Sequence, residues 1–365
     1  MKKTIVAVAV AALAATSANA ATVYNQDGTK LDVSGSARVV LTKQTDNRLD
    51  LQDDSSRVKF DFSQNLGNGF YGFGYYELRT GDLDGKTTVK EEDGKFTKET
   101  EDKGINTKYL YAGLGQDDIG VLAFGKQTTA ADSFKLADPT ENFTSILDAT
   151  AVKTEADKVV YFSTAKNDYG LGLKASYIFD NSSAKDDEAG NKAYNKNGYQ
   201  VLATYENDFD GLGFAAHAMY SHKKGENTMT VPASFKDVEG VKDSEIDIDN
   251  TAKTWGLGAK VSYANLDFAA DYVHTKFDSN SDEEDQKVKA WQISSTYNLE
   301  NLPMNVYMAY HQFKYETDKV KGFAIGSHYS LASNVETYVE YTTEKGTWEN
   351  ADRDNKYYAG LRVFF

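Results

Sequence analysis

The chain ends in the sequence YYAGLRVFF, residues 357–365, in which apolar and polar side chains alternate. One parity carries Tyr, Ala, Leu, Val and Phe, whereas the other carries Gly360 and Arg362. Successive residues of a β-strand point to opposite faces, so one face of this strand can meet hydrocarbon while the other holds a guanidinium in water. Membrane β-barrels have this arrangement, with an apolar exterior and a polar lumen. Soluble sheets also alternate, so the prediction depends on the pattern recurring along the chain.

The first 20 residues predict a signal peptide that is removed after export. Lys2 and Lys3 form a basic start, an apolar stretch follows from Thr4 to Ala15, and residues 18–20 (ANA) fit a small-residue cleavage site. The apolar stretch is shorter than the roughly 20 residues that a membrane-spanning helix needs. We therefore expect a signal peptide at 1–20 and one domain at 21–365. Removal of the signal peptide with Lys2 and Lys3 changes the formal net charge of the chain from −15 to −17.

The composition suits an exported barrel. Mean hydropathy is −0.57, which is compatible with a barrel because only every second residue of each strand faces lipid. The chain has no cysteine, which excludes a disulfide framework, and 13% aromatic residues, which suits the interfacial girdles of outer-membrane proteins. An acidic chain is a poor partner for nucleic acid, so no nucleic-acid binding is expected.

Stretches with an alternation of period two are separated by connecting segments, here called joints, which are alternately long and short. Long, polar and mostly acidic joints are predicted at 43–55, 81–104, 126–157, 181–197, 223–250, 277–286, 316–319 and 345–353. Short joints are predicted at 65–69, 115–119, 166–169, 208–211, 265–266, 299–303 and 331–334. Fifteen joints separate sixteen strands. The predicted fold is all-β, a sixteen-stranded antiparallel transmembrane barrel with short periplasmic turns and long external loops.

The third long joint differs from the others because it contains its own apolar side chains. Phe134, Leu136, Phe143, Ile146 and Leu147 lie in it, and a long loop of this kind should pack against a surface. The inner wall of the barrel is the available surface. We therefore expect the third long joint, which is loop 3 of the barrel, to fold into the lumen. Folding inward would carry four acidic residues to mid-channel: Asp132, Asp138, Glu141 and Asp148.

Several motifs along the chain resemble one family, the trimeric general porins of Gram-negative outer membranes, most closely the major porins of the Haemophilus and Pasteurella group. They are VYNQDGTKLDV at 23–33, LGNGFYG at 66–72, YAGL at 111–114, FGK at 124–126 and the terminal Phe365. The resemblance covers the whole chain. It implies an outer-membrane porin that lets small hydrophilic solutes and ions diffuse through a water-filled channel.

The resemblance also implies a pore constriction, where acidic residues of loop 3 face a row of basic residues on the wall. Arg57, Lys108 and Lys158 fall on the basic positions, and Arg38 can replace the lysine that enteric members carry at Ser36. The acidic side departs from the family, because the segment PEFGG is absent. The nearest match, DPTENF at 138–143, supplies Asp138 and Glu141.

We expect a homotrimer in the outer membrane, in contact with lipid and lipopolysaccharide, with no catalytic residue, cofactor or metal. The five histidines are scattered singly and predict no metal site. Three other classes of protein would show different features. A sugar-specific porin needs a run of inward aromatic residues as a stacking path, a barrel enzyme needs clustered Asp/His or Ser/His groups, and a surface adhesin would be soluble without detergent.

Overall fold

The computed structural model describes residues 20–81, 86–92, 95–101, 104–179, 197–224, 226–230, 245–279, 286–315, 318–347 and 351–365. Almost all of this part of the chain is β-strand. The strands are β1 (Ala21–Gln26), β2 (Thr29–Gln44), β3 (Asp50–Asp53), β4 (Arg57–Gly67), β5 (Phe70–Thr80), β6 (Lys86–Glu92), β7 (Lys95–Glu101), β8 (Ile105–Gln116), β9 (Gly120–Thr128), β10 (Glu155–Thr164), β11 (Leu171–Ile178), β12 (Gly198–Phe209), β13 (Leu212–Lys223), β14 (Glu226–Thr230), β15 (Glu245–Tyr263), β16 (Leu266–Ser279), β17 (Gln286–Asn298), β18 (Met304–Tyr315), β19 (Asp318–Ala332), β20 (Val335–Gly346) and β21 (Arg353–Phe364).

Sixteen of these strands form a closed antiparallel barrel, as the alternation predicts. Each pairs with the next along the chain, and β21 pairs with β2 to complete the ring. The last residue takes part in the closure, because Phe365 N–H donates to the Gly35 carbonyl (3.0 Å) and Gly35 N–H donates to the Phe365 carbonyl (2.8 Å). A closed ring has no unpaired edge, which a membrane requires since lipid cannot hydrogen-bond the backbone.

The other five strands extend the hairpins of the ring. β1 pairs with the first part of β2, and β3 pairs with a later part of β2 inside the predicted first long joint. β6 and β7 form a hairpin in the second long joint. β14 pairs with β15, and this pairing explains why β15 begins at Glu245, earlier than the joint predicted at 223–250 allows.

The two faces of the wall differ in polarity. In β21, Leu361 and Val363 are 40% and 38% exposed, whereas Arg362 between them is 7% exposed. Large apolar residues are exposed with the same alternation on the other strands, including Leu110, Phe124, Leu257 and Ile293. We call this outer side the apolar face and the opposite, inner side the polar face. The alternation predicted from the terminal sequence is therefore confirmed.

Tight turns join strands at one end of the barrel. Asn68-Gly69 has φ of 52° and 76°, and Asp210-Gly211 has φ of 54° and 92°. Positive φ at both central residues is the type I′ geometry, whose twist matches that of the flanking strands. A 3-10 helix, Ala130–Phe134, follows β9. In the part of the chain that the structure describes, no helix is long and apolar enough to cross a membrane.

A matched pair of substitutions on β17 tests which face meets lipid. Ile293 is 49% exposed on the apolar face, and Ser294 beside it lies on the polar face. We expect Ile293→Arg to lower the free energy of unfolding by about 2–4 kcal/mol, because arginine at mid-membrane must leave water. Ser294→Arg should lower it by less than about 1 kcal/mol. Guanidinium titration of folding into lipid vesicles measures both, and equal losses would contradict the assignment of faces.

Candidate functional site: the long loop and the charged wall

The segment between β9 and β10, residues 129–154, is held against the polar face by apolar packing. Phe134, Ile146 and Leu147 are buried in a cluster with side chains from β12 to β19. Phe143 is also buried, and its ring stacks on His311 with the centroids 3.9 Å apart and the planes 2° apart. The prediction that the apolar residues of this joint pack against a surface is confirmed for these four, while Leu136 is half-buried.

Neutral side chains of the wall accept hydrogen bonds from the first backbone N–H groups of the segment. Ala130 N–H donates to Ser176 Oγ on β11 (2.7 Å), and Ala131 N–H donates to Gln200 Oε1 on β12 (3.1 Å). These amides open a short 3-10 helix and lack partners within it. Because a buried amide without a partner costs about 1–3 kcal/mol, the wall side chains fix the position of this end of the segment.

Two wall carboxylates hold the middle of the segment in the same way. Asp271 Oδ2 on β16 accepts the N–H groups of Leu136 (2.9 Å) and Ala137 (2.7 Å). Glu340 on β20 accepts the N–H group of Glu141 (2.8 Å) at Oε2 and that of Asn142 (2.7 Å) at Oε1. Hydrogen bonds to a charged acceptor are the stronger kind, so these two carboxylates act as clamps.

Three histidines connect the segment to wall carboxylates. His217 Nδ1 lies 3.1 Å from the Phe134 carbonyl and His311 Nδ1 lies 3.1 Å from the Thr144 carbonyl. The other ring nitrogen of His311 lies 3.0 Å from Glu344 Oε1. His328 lies between Glu141 (3.4 Å) and Glu336 (3.2 Å). In the sequence these histidines are single, scattered residues, and nothing in their spacing predicts these contacts. Among the described residues, no group of His, Asp or Glu could hold a metal ion.

The wall carries two pairs of arginines that face each other across strands. Arg38 of β2 lies opposite Arg362 of β21, and Arg57 of β4 lies opposite Arg79 of β5. Like charges directly opposite each other destabilise a sheet unless an opposite charge compensates. Arg38 donates to Ser36 Oγ (2.7 Å), and its guanidinium lies 5.5 Å from the centre of the Phe364 ring.

A buried carboxylate compensates the second pair. Glu77 is 2% exposed and accepts hydrogen bonds from Arg79 Nε (2.5 Å) and the Tyr75 hydroxyl (2.7 Å). An Nη atom of Arg57 lies 3.6 Å from the same carboxylate. One carboxylate for two guanidinium groups leaves this part of the wall basic.

The segment itself compensates the first pair. Arg362 makes a bidentate hydrogen bond to Glu141, with N–O distances of 2.9 and 2.5 Å, and also donates to Asp54 (2.9 Å). Glu141 is one of the constriction acids expected from the sequence, whereas Arg362, its partner, is not among the expected basic residues. The signal was present, because Arg362 is the charged residue of the polar parity in the terminal strand.

The other basic residues chosen from sequence have different surroundings. Lys108 forms an ion pair with Glu155 at the start of β10, and the Tyr109 hydroxyl donates to the other oxygen of that carboxylate (2.9 Å). Lys158 is exposed and lies where the register of β9 and β10 shifts. The structure therefore brings Arg38 and Arg57 together, with Arg79 and Arg362 added, and places Lys158 apart.

The other acidic residues chosen from sequence bond mainly within the segment. Asp138 accepts the Thr140 hydroxyl (2.6 Å), and Asp148, which is exposed, accepts the Ser145 N–H (3.1 Å). Asp132 lies 3.9 Å from Lys135 Nζ. Loss of water around Asp132 raises the pKa of its carboxyl, and the nearby Lys135 opposes this rise.

A closed barrel with an apolar exterior and charged groups on its inner wall defines a channel protein of the outer membrane. The chain belongs to the Gram-negative porin family, whose sequence model matches residues 7–347. The major outer membrane protein of Pasteurella multocida strain Pm70 is 36% identical to it over 373 aligned residues, covering both chains completely. The family resemblance found in the motifs is thus confirmed, and the chain is an outer-membrane porin, not an enzyme or a soluble adhesin.

Solved structures of low identity share the fold. An anion-selective porin from Comamonas acidovorans superposes with a TM-score of 0.69 at 13% identity, covering 92% of this chain and all of its own. OmpT of Vibrio cholerae, in its trimer form, superposes with a TM-score of 0.68 at 18% identity, covering 93% and 100%. At these identities the comparison supports the architecture only.

Hydrogen exchange tests the two clamps separately. In Glu340→Ala both oxygens that accept the backbone amides are removed. We expect faster exchange at the Glu141 and Asn142 amides, with protection reduced by about 1–3 kcal/mol. Exchange at Leu136 and Ala137 should stay unchanged, because Asp271 holds them.

Asp271→Ala, which removes the oxygen that accepts the Leu136 and Ala137 amides, is the reciprocal control and should produce the opposite pattern. Mass spectrometry of peptides that separate 136–137 from 141–142 gives both readings in one experiment. If each variant accelerated all four amides equally, the segment would open as a unit and the two carboxylates would not be independent clamps.

Proposed function

We propose that residues 129–154 fold into the barrel and narrow its water-filled channel to a constriction, through which small hydrophilic solutes and ions diffuse passively. The observation that supports this most is the set of wall partners of the segment. The segment is hydrogen-bonded, as donor or as acceptor, to polar-face side chains of β11, β12, β13, β16, β17, β18, β20 and β21. A segment outside the barrel could not reach the inner face of so many strands.

The charges around such a constriction would sort solutes. Arg38, Arg57 and Arg79 form a basic stretch of wall on adjacent strands, and the segment contributes Asp138 and Glu141. Opposed charges across a channel create a transverse field that orients dipolar solutes and separates the paths of cations and anions. Glu141 is already bound by Arg362, so in this proposal it anchors the segment as well as contributing charge.

Assembly and export complete the proposal. The trimer form of the Vibrio OmpT supports a homotrimer for this chain. The predicted signal peptide at 1–20 falls almost wholly outside the described residues and stays a prediction. Contacts with lipid and lipopolysaccharide also stay predictions.

Planar bilayer recording tests the channel directly. We expect stable conductance steps that arrive in groups of three, as a trimer of open pores would produce. The formal charge of −17 that remains after removal of the predicted signal peptide with Lys2 and Lys3 predicts a mild preference for cations, measured as the sign of the reversal potential in a salt gradient. Absence of conductance from a folded protein would overturn the proposed function, and an anion-selective sign would overturn the predicted preference.

Two arginine substitutions test whether the basic wall sorts ions. Arg38 lies on the polar face, whereas Arg48 is exposed in the joint before β3. Arg38→Gln and Arg48→Gln remove the same charge, but a charge in the constriction acts on ions within about 10 Å, the screening length at 0.1 M salt. We expect a clear shift of the reversal potential toward cation selectivity for Arg38→Gln and a much smaller shift for Arg48→Gln. Equal shifts would mean that net charge alone sets selectivity.

A further inference from the structure

Five aromatic rings form a continuous row on the polar face of β5 and β8. Their order along the wall is Tyr71, Phe73, Tyr111, Tyr75 and Tyr109. Neighbouring ring centres are 6.0, 6.4, 5.1 and 6.5 Å apart in that order. The three residues from β5 share the parity of Glu77, whose carboxylate binds the arginines of the wall. We call these five residues the aromatic lane.

Two glycines make room for the rings at the Tyr71 end of the lane. A Cβ atom built on Gly115 would lie 2.2 Å from the Tyr71 ring, and one on Gly113 would lie 2.5 Å from the Phe73 ring. The two rings therefore lie over backbone of β8 that carries no side chain at these positions. Tyr338 covers Gly360 in the same way, but Tyr338 is only 2% exposed. All five rings of the lane, in contrast, are partly exposed. Packing alone does not require this accessibility.

The Tyr109 end of the lane is surrounded by basic side chains. The guanidinium of Arg79 lies 5.8 Å from the centre of the Tyr109 ring, and Lys108 Nζ lies 5.4 Å from it. Arg57 lies opposite Arg79, and Lys59 lies opposite Glu77 in the same pair of strands. Glu77 and Glu155 are the carboxylates bound to this group, and Asp61 lies two residues from Lys59 on the same face of β4. Four cationic side chains therefore face three anionic ones, which leaves one surplus positive charge.

The lane also has polar groups alongside it. Asp61 lies opposite Tyr75, and Ser63 lies opposite Phe73, in the register of β4 and β5. From Tyr71 to Arg79 the strand rises by eight residues, about 26 Å at roughly 3.3 Å per residue. The lane thus leads from the short-turn end of the barrel to the level of the basic wall.

We propose that the aromatic lane binds pyranose sugars that carry an anionic group, such as a phosphate, as they pass through the pore. This rests on the proposed function, because the lane must line an open channel. The face of an aromatic ring is negative and attracts the C–H groups on the flat side of a pyranose. The side chains of β4 can hydrogen-bond the ring hydroxyls, and the surplus positive charge beside Tyr109 receives the anionic group. A ring-shaped anion matches all three features together.

Current block in planar bilayers tests the lane, with glucose 6-phosphate as the probe and glucose and inorganic phosphate as its two halves. We expect a saturable block by glucose 6-phosphate that is stronger than that of either half. Tyr111→Ala should weaken the block roughly fivefold, because one stacking partner is lost. Tyr358→Ala, on the polar face of β21 but outside the lane, should leave the block unchanged.

Two further variants separate stacking from folding and from hydrogen bonding. Phe73→Leu keeps an apolar side chain of similar size but removes the aromatic face, so it should also weaken the block. Tyr75→Phe removes the hydrogen bond to Glu77 but keeps the ring, so this variant should still be blocked by glucose 6-phosphate. The proposal is overturned if glucose 6-phosphate gives no saturable block, if phosphate alone blocks as strongly, or if Tyr111→Ala and Phe73→Leu both behave like the unchanged protein. A protein that conducts but is not blocked refutes only the lane, whereas a folded protein that does not conduct refutes the channel.

Discussion

The structure depends on one constraint: a strand in lipid must pair every backbone N–H and C=O group within the protein. Closing the sheet on itself satisfies this, and the bonds between Gly35 and Phe365 show how completely, since the last residue of the chain is used for the closure. Closure divides the side chains into two sets with different surroundings. The outer set must be apolar, which explains the exposed Leu, Ile and Phe residues, while the inner set is free to be charged.

This freedom makes possible charge arrangements that a packed core would not tolerate. The arginine pairs Arg38/Arg362 and Arg57/Arg79 lie directly opposite each other, where like charges repel. The first pair is compensated by Glu141 of the long segment and by Asp54, and the second by Glu77 of the wall. Glu77 belongs to the wall wherever the segment lies. Asp54 and Glu336 lie beside Arg362 independently of the segment, and Glu141 of the segment adds a third carboxylate to this site.

The barrel could be predicted from sequence because its signal is local and repeated. Alternation along the strands depends only on whether each residue faces lipid, and turn pairs such as Asn68-Gly69 are recognisable on their own. The segment at 129–154 was also recognisable, since apolar residues such as Phe134 and Ile146 in a long joint need a surface. Its clamps were not, because Asp271 and Glu340 are far from it in the chain. Only the closed ring brings their carboxylates to its amides, and nothing in the strand pattern distinguishes them from other inward acids.

The row of aromatic rings on the wall could not be predicted from sequence for the same reason. Tyr71 and Phe73 on β5, with Tyr109 and Tyr111 on β8, are ordinary strand residues when each strand is considered alone. They become a row only when the register places Tyr71 opposite Gly115 and Phe73 opposite Gly113, so that each ring lies over a glycine. A shift of one residue would put side chains beneath the rings and turn the row to the other face. The chemistry of the pore wall therefore depends on strand register, which the barrel determines as a whole.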